Sequence, residues 1–530
     1  MGTRPPLLIR AQGMGLAAIA LGVSIFLSRI LGLVRDKVIS YYFGAGVEAD
    51  IYFTAFVAPD FLNYLLAGGY FSITLVPLLA TAFEGEAEDA WRFFSAAVCW
   101  AALCISLLTF AVWLAAPAIA PVVAPGFTPE AQARLAYFLR IILPAQSCFL
   151  PGACFTALLY FRRQFAVPAL TPLVYNGCII LAGLAGIYLF PEAGMEGFCW
   201  GVLIGAALGS LALPTLAARM GGLVFAPRLA HPLMKKVLIL ALPLMVGQSI
   251  VALDEQFVRI FGSLAGEGGV SLLNYARRIM LAPVGVVAQA AGLASFPFLA
   301  ALAASGDKSR FDESLNRAAS NTLLVALPLS LWMFVAAGPI MRLIFQQGRF
   351  TAEAAAQSGP LLAIMMLGVA FWAVQQVLGR AFYALQDTLT PALAGTVTTV
   401  FALPLYWLGA TRHGTQGVAA AGLAGVAAYA LALCFVWRRR HGAGGLAGLG
   451  GKGLLAFAFC LPACGGAYGG ILLAGRLLAW DSLSGAALAI VFSGIAFGAA
   501  YLGLAMALAP GLCEPLTALC AKVARRKAKA

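Results

Sequence analysis

Apolar runs of about 20 residues recur along the whole of this 530-residue chain, and they constrain its fold more than any other feature. Hydrophobic residues make up 62% of the chain and charged residues 10%, whereas soluble domains carry about 25% charged residues. In lipid, only helices and closed barrels satisfy their own backbone hydrogen bonds, and these runs do not alternate as barrel strands do. The sequence therefore predicts an all-α polytopic membrane protein.

We place about fourteen transmembrane helices along the chain, each long enough to cross a bilayer. Lysine and arginine are concentrated in every second connection, which the positive-inside rule assigns to the cytoplasm. Both termini are then cytoplasmic, which requires an even number of spans. The expected spans are 14–43, 50–80, 92–120, 131–160, 166–190, 195–218, 236–262, 269–303, 318–345, 353–384, 390–410, 416–437, 453–475 and 485–510.

The formal net charge of +13 follows mostly from this topology. A basic tail on a soluble protein would suggest nucleic acid, but here the tail would face the anionic lipids of the cytoplasmic leaflet. We therefore expect membrane lipids, and no nucleic acid, as partners of the basic segments. The cytoplasmic segments would hold Arg4, Arg10, Arg162, Arg163, Arg219, Arg228, Lys235, Lys236, Lys308, Arg310, Arg438, Arg439, Arg440, Lys452 and the basic residues of the tail.

An internal repeat divides the chain. A shift of 223 residues superimposes Gly46-Val47 on Gly269-Val270, Phe127-Thr128 on Phe350-Thr351, Tyr160 on Tyr383, and Pro168-Ala169-Leu170 on Pro391-Ala392-Leu393. Six spans fit within the shift, so the two halves have the same orientation, as in the parallel repeats of some transporters. We predict a six-helix lobe at 1–223, a second at 224–445, and two further helices with a basic cytoplasmic tail at 446–530.

The first span carries charged residues where a membrane helix normally has none. In Ser28-Arg29-Ile30-Leu31-Gly32-Leu33-Val34-Arg35-Asp36, the polar residues fall on one helical sector and Ile30, Leu31 and Val34 on the other. An arginine near the bilayer centre costs about 2.5–3.5 kcal/mol, so this sector is expected to face a polar interior. Alternatively, the span ends near Leu27 and the charges reach the interface.

Further charged residues fall in spans seven and eight, which the repeat makes equivalent to spans one and two. The seventh span has Asp254, Glu255 and Arg259, and the eighth has Arg277 and Arg278. A cavity lined by spans one, two, seven and eight would be basic, with Asp36 and Asp254 as partners of its arginines. Since guanidinium groups bind phosphate through two parallel hydrogen bonds, we expect an anionic, phosphorylated substrate. In the alternative interpretation, these charges form internal salt bridges that lock the two halves together.

Several segments resemble the MurJ (MviN) family of lipid II flippases, in order and over essentially the whole chain. The matching segments are Ser28 to Asp36, Phe43-Gly44-Ala45-Gly46 with Asp50, Phe71-Ser72 with Val76-Pro77, Ala124-Pro125-Gly126-Phe127, Asn274-Tyr275-Ala276 with Arg278, Gly348-Arg349-Phe350, and Asp387-Thr388 with Thr390-Pro391. The resemblance implies two six-helix lobes around a cationic cavity and a lipid-tail groove in the last two helices. It also implies transfer of the undecaprenyl-pyrophosphate-linked peptidoglycan precursor across the bacterial inner membrane.

The resemblance also implies which residues bind the substrate. The essential arginines would be Arg29, Arg35 and Arg278, and Asp50 also matches. We add Asp36, Arg277, Ser28 and Asn63 as candidate substrate-binding residues. The chain departs from the family in the second span, where Val57, Asn63 and Gly68 replace basic and acidic residues, and at Arg277, which replaces an acidic one.

Coupling to an ion would need a carboxylate, and Asp254 and Asp387 match positions associated with sodium in some family members. For Asp254, the alternative interpretation is a salt bridge to Arg259. The scattered cysteines and histidines predict no bound metal, so we expect no cofactor, with coupling to sodium, a proton or the membrane potential.

We interpret the chain as a monomeric flippase that works by alternating access and not as an enzyme, since it has no Walker motif, nucleophile elbow or paired catalytic carboxylates. Two alternatives are an exporter of another polyprenyl-linked oligosaccharide and a multidrug antiporter. A cation antiporter should have an acidic cavity, whereas this one is predicted to be basic.

Overall fold

The computed structural model describes residues 12–66, 70–192, 194–237, 239, 253–479 and 482–510, and within these ranges the regular structure is entirely helical. The predicted all-α polytopic fold is confirmed. The helices are Met14–Phe43, Val47–Thr54, Val57–Leu66, Tyr70–Phe83, Ala87–Leu114, Ala116–Val123, Pro129–Ile142, Gln146–Phe161, Ala166–Leu189, Glu196–Gly205, Leu213–Met220, Leu253–Gly262, Gly269–Pro283, Ala290–Ser305, Lys308–Val335, Ala337–Phe345, Ala352–Leu367, Val369–Ala384, Leu389–His441, Leu449–Leu477 and Leu483–Leu508.

Ten helical segments in the described part of the chain are long and apolar enough to cross a membrane. One of them, Leu389–His441, has 53 residues and breaks at Gly414, where φ is 57° and ψ is −138°. Its length of about 80 Å is more than twice the thickness of a hydrocarbon core, so it holds the two spans expected at 390–410 and 416–437. The total of fourteen spans stays a prediction.

The span expected at 50–80 is not one helix. The structure divides it into Val47–Thr54, Val57–Leu66 and Tyr70–Phe83. Pro59 lies in the first turn of the second helix, where a missing N–H removes no intrahelical hydrogen bond. The composition was apolar throughout, so it predicted the location of the segment but not its breaks.

The 223-residue repeat appears in the helix boundaries. The helices that begin at Pro129, Gln146 and Ala166 correspond to those that begin at Ala352, Val369 and Leu389. Thr128 and Thr351 cap the first pair in the same way, since each hydroxyl accepts a hydrogen bond from the amide three residues later, at 3.3 and 3.2 Å.

The turns that precede Ala166 and Leu389 also repeat. Arg163 has a φ of 58° and Gln386 a φ of 61°, and they are the non-glycine residues with positive φ in the described chain. This left-handed conformation is uncommon for residues with a side chain, so its occurrence at two positions related by the repeat is strong support for equivalent halves.

The chain forms two compact units, Met1–Val270 and Ser271–Ala530. The lobe boundaries at 223 and 445 stay predictions. In the first unit, Phe93, Phe94 and Leu158 lie in the main apolar core. In the second, Phe311 and Phe382 pack on the fully buried Trp437, with ring centroids 6.1 and 5.0 Å from its ring.

Close helix packing in the first unit depends on glycine. Gly201 and Gly205 face the helix Ala166–Leu189, and a Cβ at Gly201 would lie 2.7 Å from the Cα of Ile179. The obstructing atoms are backbone atoms that cannot rotate away. Small residues at this spacing allow helices to approach in lipid, where no hydrophobic effect drives them together.

We expect Gly201→Val to lower the melting temperature and the membrane abundance of the protein, because overpacking costs about 1–3 kcal/mol even against movable side chains. Gly177→Val is the matched control, since a Cβ at Gly177 has no atom within 4 Å. Thermal unfolding in detergent measures the difference. Equal melting temperatures for the two variants would contradict this account of the interface.

Candidate substrate site

The first helix, Met14–Phe43, is continuous for 30 residues and does not end near Leu27. Its burial pattern is the reverse of that of a helix in a soluble protein. Asp36 and Ser40 are fully buried, whereas Ile30 and Val34 are each 42% exposed. A helix with its apolar face outward and its polar face inward is suited to lipid, which supports the interpretation that Arg29 and Arg35 belong to a polar interior.

Two hydrogen bonds hold the polar sector of the first helix on the helix Ala166–Leu189. The Ser24 hydroxyl donates to the carbonyl of Ala169, and the Asn176 amide donates to Ser28 Oγ at 3.4 Å. Asn176 also donates to the carbonyl of Pro172 at 2.9 Å. Ser28, a predicted substrate-binding residue, therefore contributes to helix packing.

Arg35 and Asp36 form an ion pair on the first helix. Arg35 donates from Nε and Nη2 to Oδ1 of Asp36, at 3.0 and 2.9 Å. The Asp36 side chain is fully buried and that of Arg35 is 13% exposed. Since the carboxylate is inaccessible, its role is to hold the guanidinium in one orientation, while Arg29 lies exposed six residues earlier.

A second charged group, the Arg259 cluster, lies between the helices Val57–Leu66 and Leu253–Gly262. Arg259 donates to Asp60 Oδ2 at 2.7 Å, to Glu255 Oε1 at 3.0 Å and to Gln256 Oε1 at 3.2 Å. The alternative salt bridge from Asp254 to Arg259 stays a prediction, because the Asp254 side chain lies outside what the structure describes. Arg259 reaches Asp60 on another helix. Which residue it reaches there depends on rotation about the helix axis, which the sequence does not specify.

Asp60 was not among the predicted site residues. The signal that could have identified it is a carboxylate in an apolar segment three residues before Asn63, which places both on one helix face. Asn63 is half-buried and Val57 is 4% exposed. Gly68 lies outside the described residues.

Arg277 and Arg278 lie in the helix Gly269–Pro283, and both are partly buried. The same helix is anchored in the second unit by Tyr275, which is fully buried and packs on Phe345 and Phe350 with ring centroids 5.0 and 5.5 Å away. The convergence of these arginines with Arg29 and Arg35 in one cavity stays a prediction.

Asp387, a predicted sodium ligand, caps the helix Leu389–His441. It accepts from the Thr390 amide at 2.9 Å, from the Thr390 hydroxyl at 2.6 Å and from Arg440 Nη1 at 3.3 Å. Burial alone would raise the pKa of this carboxyl, but the Thr390 hydrogen bonds and the Arg440 charge hold it below 3.8. These donors reach both carboxylate oxygens.

Asp254, the other predicted ligand, lies in the helix Leu253–Gly262, and its side chain is outside what the structure describes. Among the described residues there is no group of three or more His, Cys, Asp or Glu side chains that could hold a metal. Both sodium assignments stay predictions.

The contacts of residues 44–46 and 124–127 with 263–268 occur within the first unit. We call them the outer-loop contacts, because the predicted topology places all three segments on the outer side. The Gly126 amide donates to Ser263 Oγ at 3.3 Å, and a Cβ at Gly126 would lie 2.2 Å from the Ser263 carbonyl oxygen. Gly268 has a φ of 78°, and a Cβ there would lie 2.6 Å from the carbonyl oxygen of Ala45. Only glycine permits these backbone-to-backbone approaches.

Comparison with known proteins identifies the family. The family model described as Lipid II flippase MurJ matches residues 39–472. The chain is 31% identical over 387 residues to the probable lipid II flippase MurJ of Rhizobium meliloti (strain 1021), with 71% of this chain and 72% of that protein covered. It is 30% identical over 378 residues to the lipid II flippase MurJ of Burkholderia cenocepacia, with 69% and 72% covered.

Solved structures agree in fold. A lipid II flippase MurJ in an inward closed conformation has a TM-score of 0.72 at 23% identity, covering 90% of this chain and 98% of that one. An inward-facing MATE family transporter of the MOP superfamily has a TM-score of 0.66 at 14% identity, covering 81% and 99%. Because the family model spans most of the sequence and relatives reach 30% identity or more, this chain belongs to the lipid II flippase MurJ family.

Proposed function

We propose that this chain carries lipid II across the bacterial inner membrane by alternating access, as a monomer with both termini in the cytoplasm. The observation that supports this most is the first helix, which turns Arg35 and the buried carboxylate of Asp36 away from its exposed apolar face. Membership in the family makes the protein a multi-pass transporter of that membrane, with lipid II and membrane lipids as its partners.

The head group of lipid II is linked to its lipid through a pyrophosphate, and guanidinium groups suit the pyrophosphate oxygens. A guanidinium has five N–H donors, of which Arg35 directs one on Nε and one on Nη2 to Asp36. The remaining donors are presented in a fixed plane, because the buried Asp36 holds the side chain. Asp36 is therefore a positioning residue, and Arg29, Arg35 and Arg278 are the proposed phosphate ligands.

The outer-loop contacts fit one state of an alternating-access cycle. With the termini in the cytoplasm, residues 44–46, 124–127 and 263–268 all lie on the outer side. We propose that these backbone contacts hold the three segments together on that side until lipid II is released. Release would require Gly126 to separate from Ser263, and Gly268 from Ala45.

Coupling to sodium, a proton or the membrane potential is proposed for Asp254. A carboxylate at membrane depth is costly unless it is paired, protonated or bound to a cation. Asp387 already accepts hydrogen bonds from Thr390 within its turn, so we use it as the comparison residue for Asp254.

We expect Arg35→Lys to reduce flipping while the protein accumulates normally, because lysine still neutralises Asp36 but cannot form the planar fork. Arg29→Ala and Arg278→Ala should abolish flipping at normal abundance. Complementation of a flippase-depleted bacterium, with quantification of the accumulated lipid-linked precursor and of the variant in membranes, measures both properties.

Arg259→Ala is the control that shows what loss of a structural salt bridge does. It leaves Asp60 and Glu255, which are 28% and 31% exposed, without their arginine, so the abundance of the protein should fall. Full complementation by the alanine variants of Arg29 and Arg278 would overturn the site assignment.

We expect Gly126→Ala to open the outer side, because the new methyl group would occupy the position of the Ser263 carbonyl. On a cysteine-free background with Ala45→Cys, a membrane-impermeant maleimide should label the outer side of intact cells faster. Gly338→Ala is the control, since a Cβ at Gly338 has no atom within 4 Å. Unchanged labelling with Gly126→Ala would refute the proposed closure.

We expect Asp254→Asn to remove the dependence of flipping on a sodium or proton gradient in proteoliposomes. Asp387→Asn should keep that dependence, because asparagine caps a helix about as well as aspartate and only the ion pair with Arg440 is lost. Transport that is indifferent to both gradients in the unmodified protein would exclude this coupling and leave the flippase function intact.

A further inference from the structure

A cavity of about 610 Å³ lies in the second unit, within the range of about 300–1,000 Å³ typical of ligand sites. Five helices line it, together with Leu446: Lys308–Val335, Ala352–Leu367, Val369–Ala384, Leu389–His441 and Leu449–Leu477. We call it the Arg438 cavity. Its walls are almost entirely apolar and include Leu327, Leu367, Phe371, Leu431, Leu454 and Phe457.

Arg438 is the charged residue that lines this cavity, and its two neighbours are engaged elsewhere. The Arg439 guanidinium lies 5.2 Å from the centre of the Phe435 ring, and Arg440 binds Asp387 and Thr390. Within the part of the chain that the structure describes, Arg438 forms no ion pair or hydrogen bond. It is therefore a cation at the end of an apolar cavity.

The cavity extends along the helices from this arginine. Its lining runs from Leu449 to Phe457 on one helix and from Arg438 to Ala430 on another. Each stretch has nine residues and rises about 12 Å along its helix. The glycines at 450 and 453 leave room at the arginine end. The shape is thus an apolar channel with one guanidinium at its mouth.

We propose that the Arg438 cavity binds an anionic glycerophospholipid, with part of one acyl chain between the helices and the phosphate on Arg438. Charge complementarity selects this occupant, since arginine binds phosphate through parallel hydrogen bonds and the positive-inside rule places Arg438 at the anionic cytoplasmic leaflet. The undecaprenyl tail of lipid II is far longer than the cavity. The proposal does not depend on which substrate the protein carries.

Such a lipid would join the last helix pair to the rest of the second unit. The helix Leu449–Leu477 lines one wall, and the helices Lys308–Val335 and Leu389–His441 line the others. Because a ligand that binds only the folded state stabilises it, an occupied cavity raises the melting temperature.

The test uses the purified full chain, delipidated in a neutral detergent and titrated with phosphatidylglycerol or phosphatidylcholine. Thermal unfolding and native mass spectrometry report stabilisation and the number of retained lipids. Phosphatidylglycerol should stabilise the protein more strongly than phosphatidylcholine. Arg438→Gln should weaken its binding by roughly tenfold, the loss of one charge-assisted hydrogen-bond pair. Arg439→Gln, the adjacent control, should bind as the unmodified protein does.

Gly450→Leu tests the cavity without removing a charge. A Cβ at Gly450 has no atom within 4 Å, so the protein should fold while the side chain fills the mouth and excludes the lipid. Undiminished phosphatidylglycerol binding by Arg438→Gln or by Gly450→Leu would overturn the proposal. Equal stabilisation by inorganic phosphate would show an anion site only, and preferential binding of undecaprenyl phosphate would assign the cavity to the substrate; either result would also overturn it.

Discussion

The structure depends on the cost of placing a charge where water is absent. An arginine in the bilayer costs several times the thermal energy, so a helix that carries one must turn it toward a partner. The first helix meets this condition with Asp36, and the Arg259 cluster meets it with Asp60 and Glu255. Helix rotation, helix pairing and the position of the candidate site all follow from where these partners lie.

The ion pairs differ in what they leave available. Asp36 uses one carboxylate oxygen to hold Arg35, which leaves guanidinium donors for a phosphate. Arg259 instead directs its Nη1 and Nη2 atoms to Asp60, Gln256 and Glu255, so its terminal nitrogens are occupied by the protein itself. The same residue type is thus a candidate ligand in one helix and a structural cation in another, and only the arrangement of neighbours distinguishes them.

Much of the fold was predictable because its causes are local. Apolar runs located the helices, and the 223-residue repeat predicted pairs of helix starts that the structure shows at Pro129 and Ala352. The partner of Arg259 and the role of Asp387 were not predictable. Pairing across helices depends on rotation about the helix axis, and the capping role of Asp387 depends on a turn that brings the Thr390 amide to it.

The two left-handed turns at Arg163 and Gln386 have a consequence for the helices that follow them. Each closes a helix and opens the next with the same geometry, at a backbone conformation that costs a residue with a side chain about 1 kcal/mol or more. A strained junction that recurs in both halves fixes the angle at which one helix leaves another. The chain therefore leaves the helices Gln146–Phe161 and Val369–Ala384 through turns of the same backbone conformation, so each half directs its next helix in the same way.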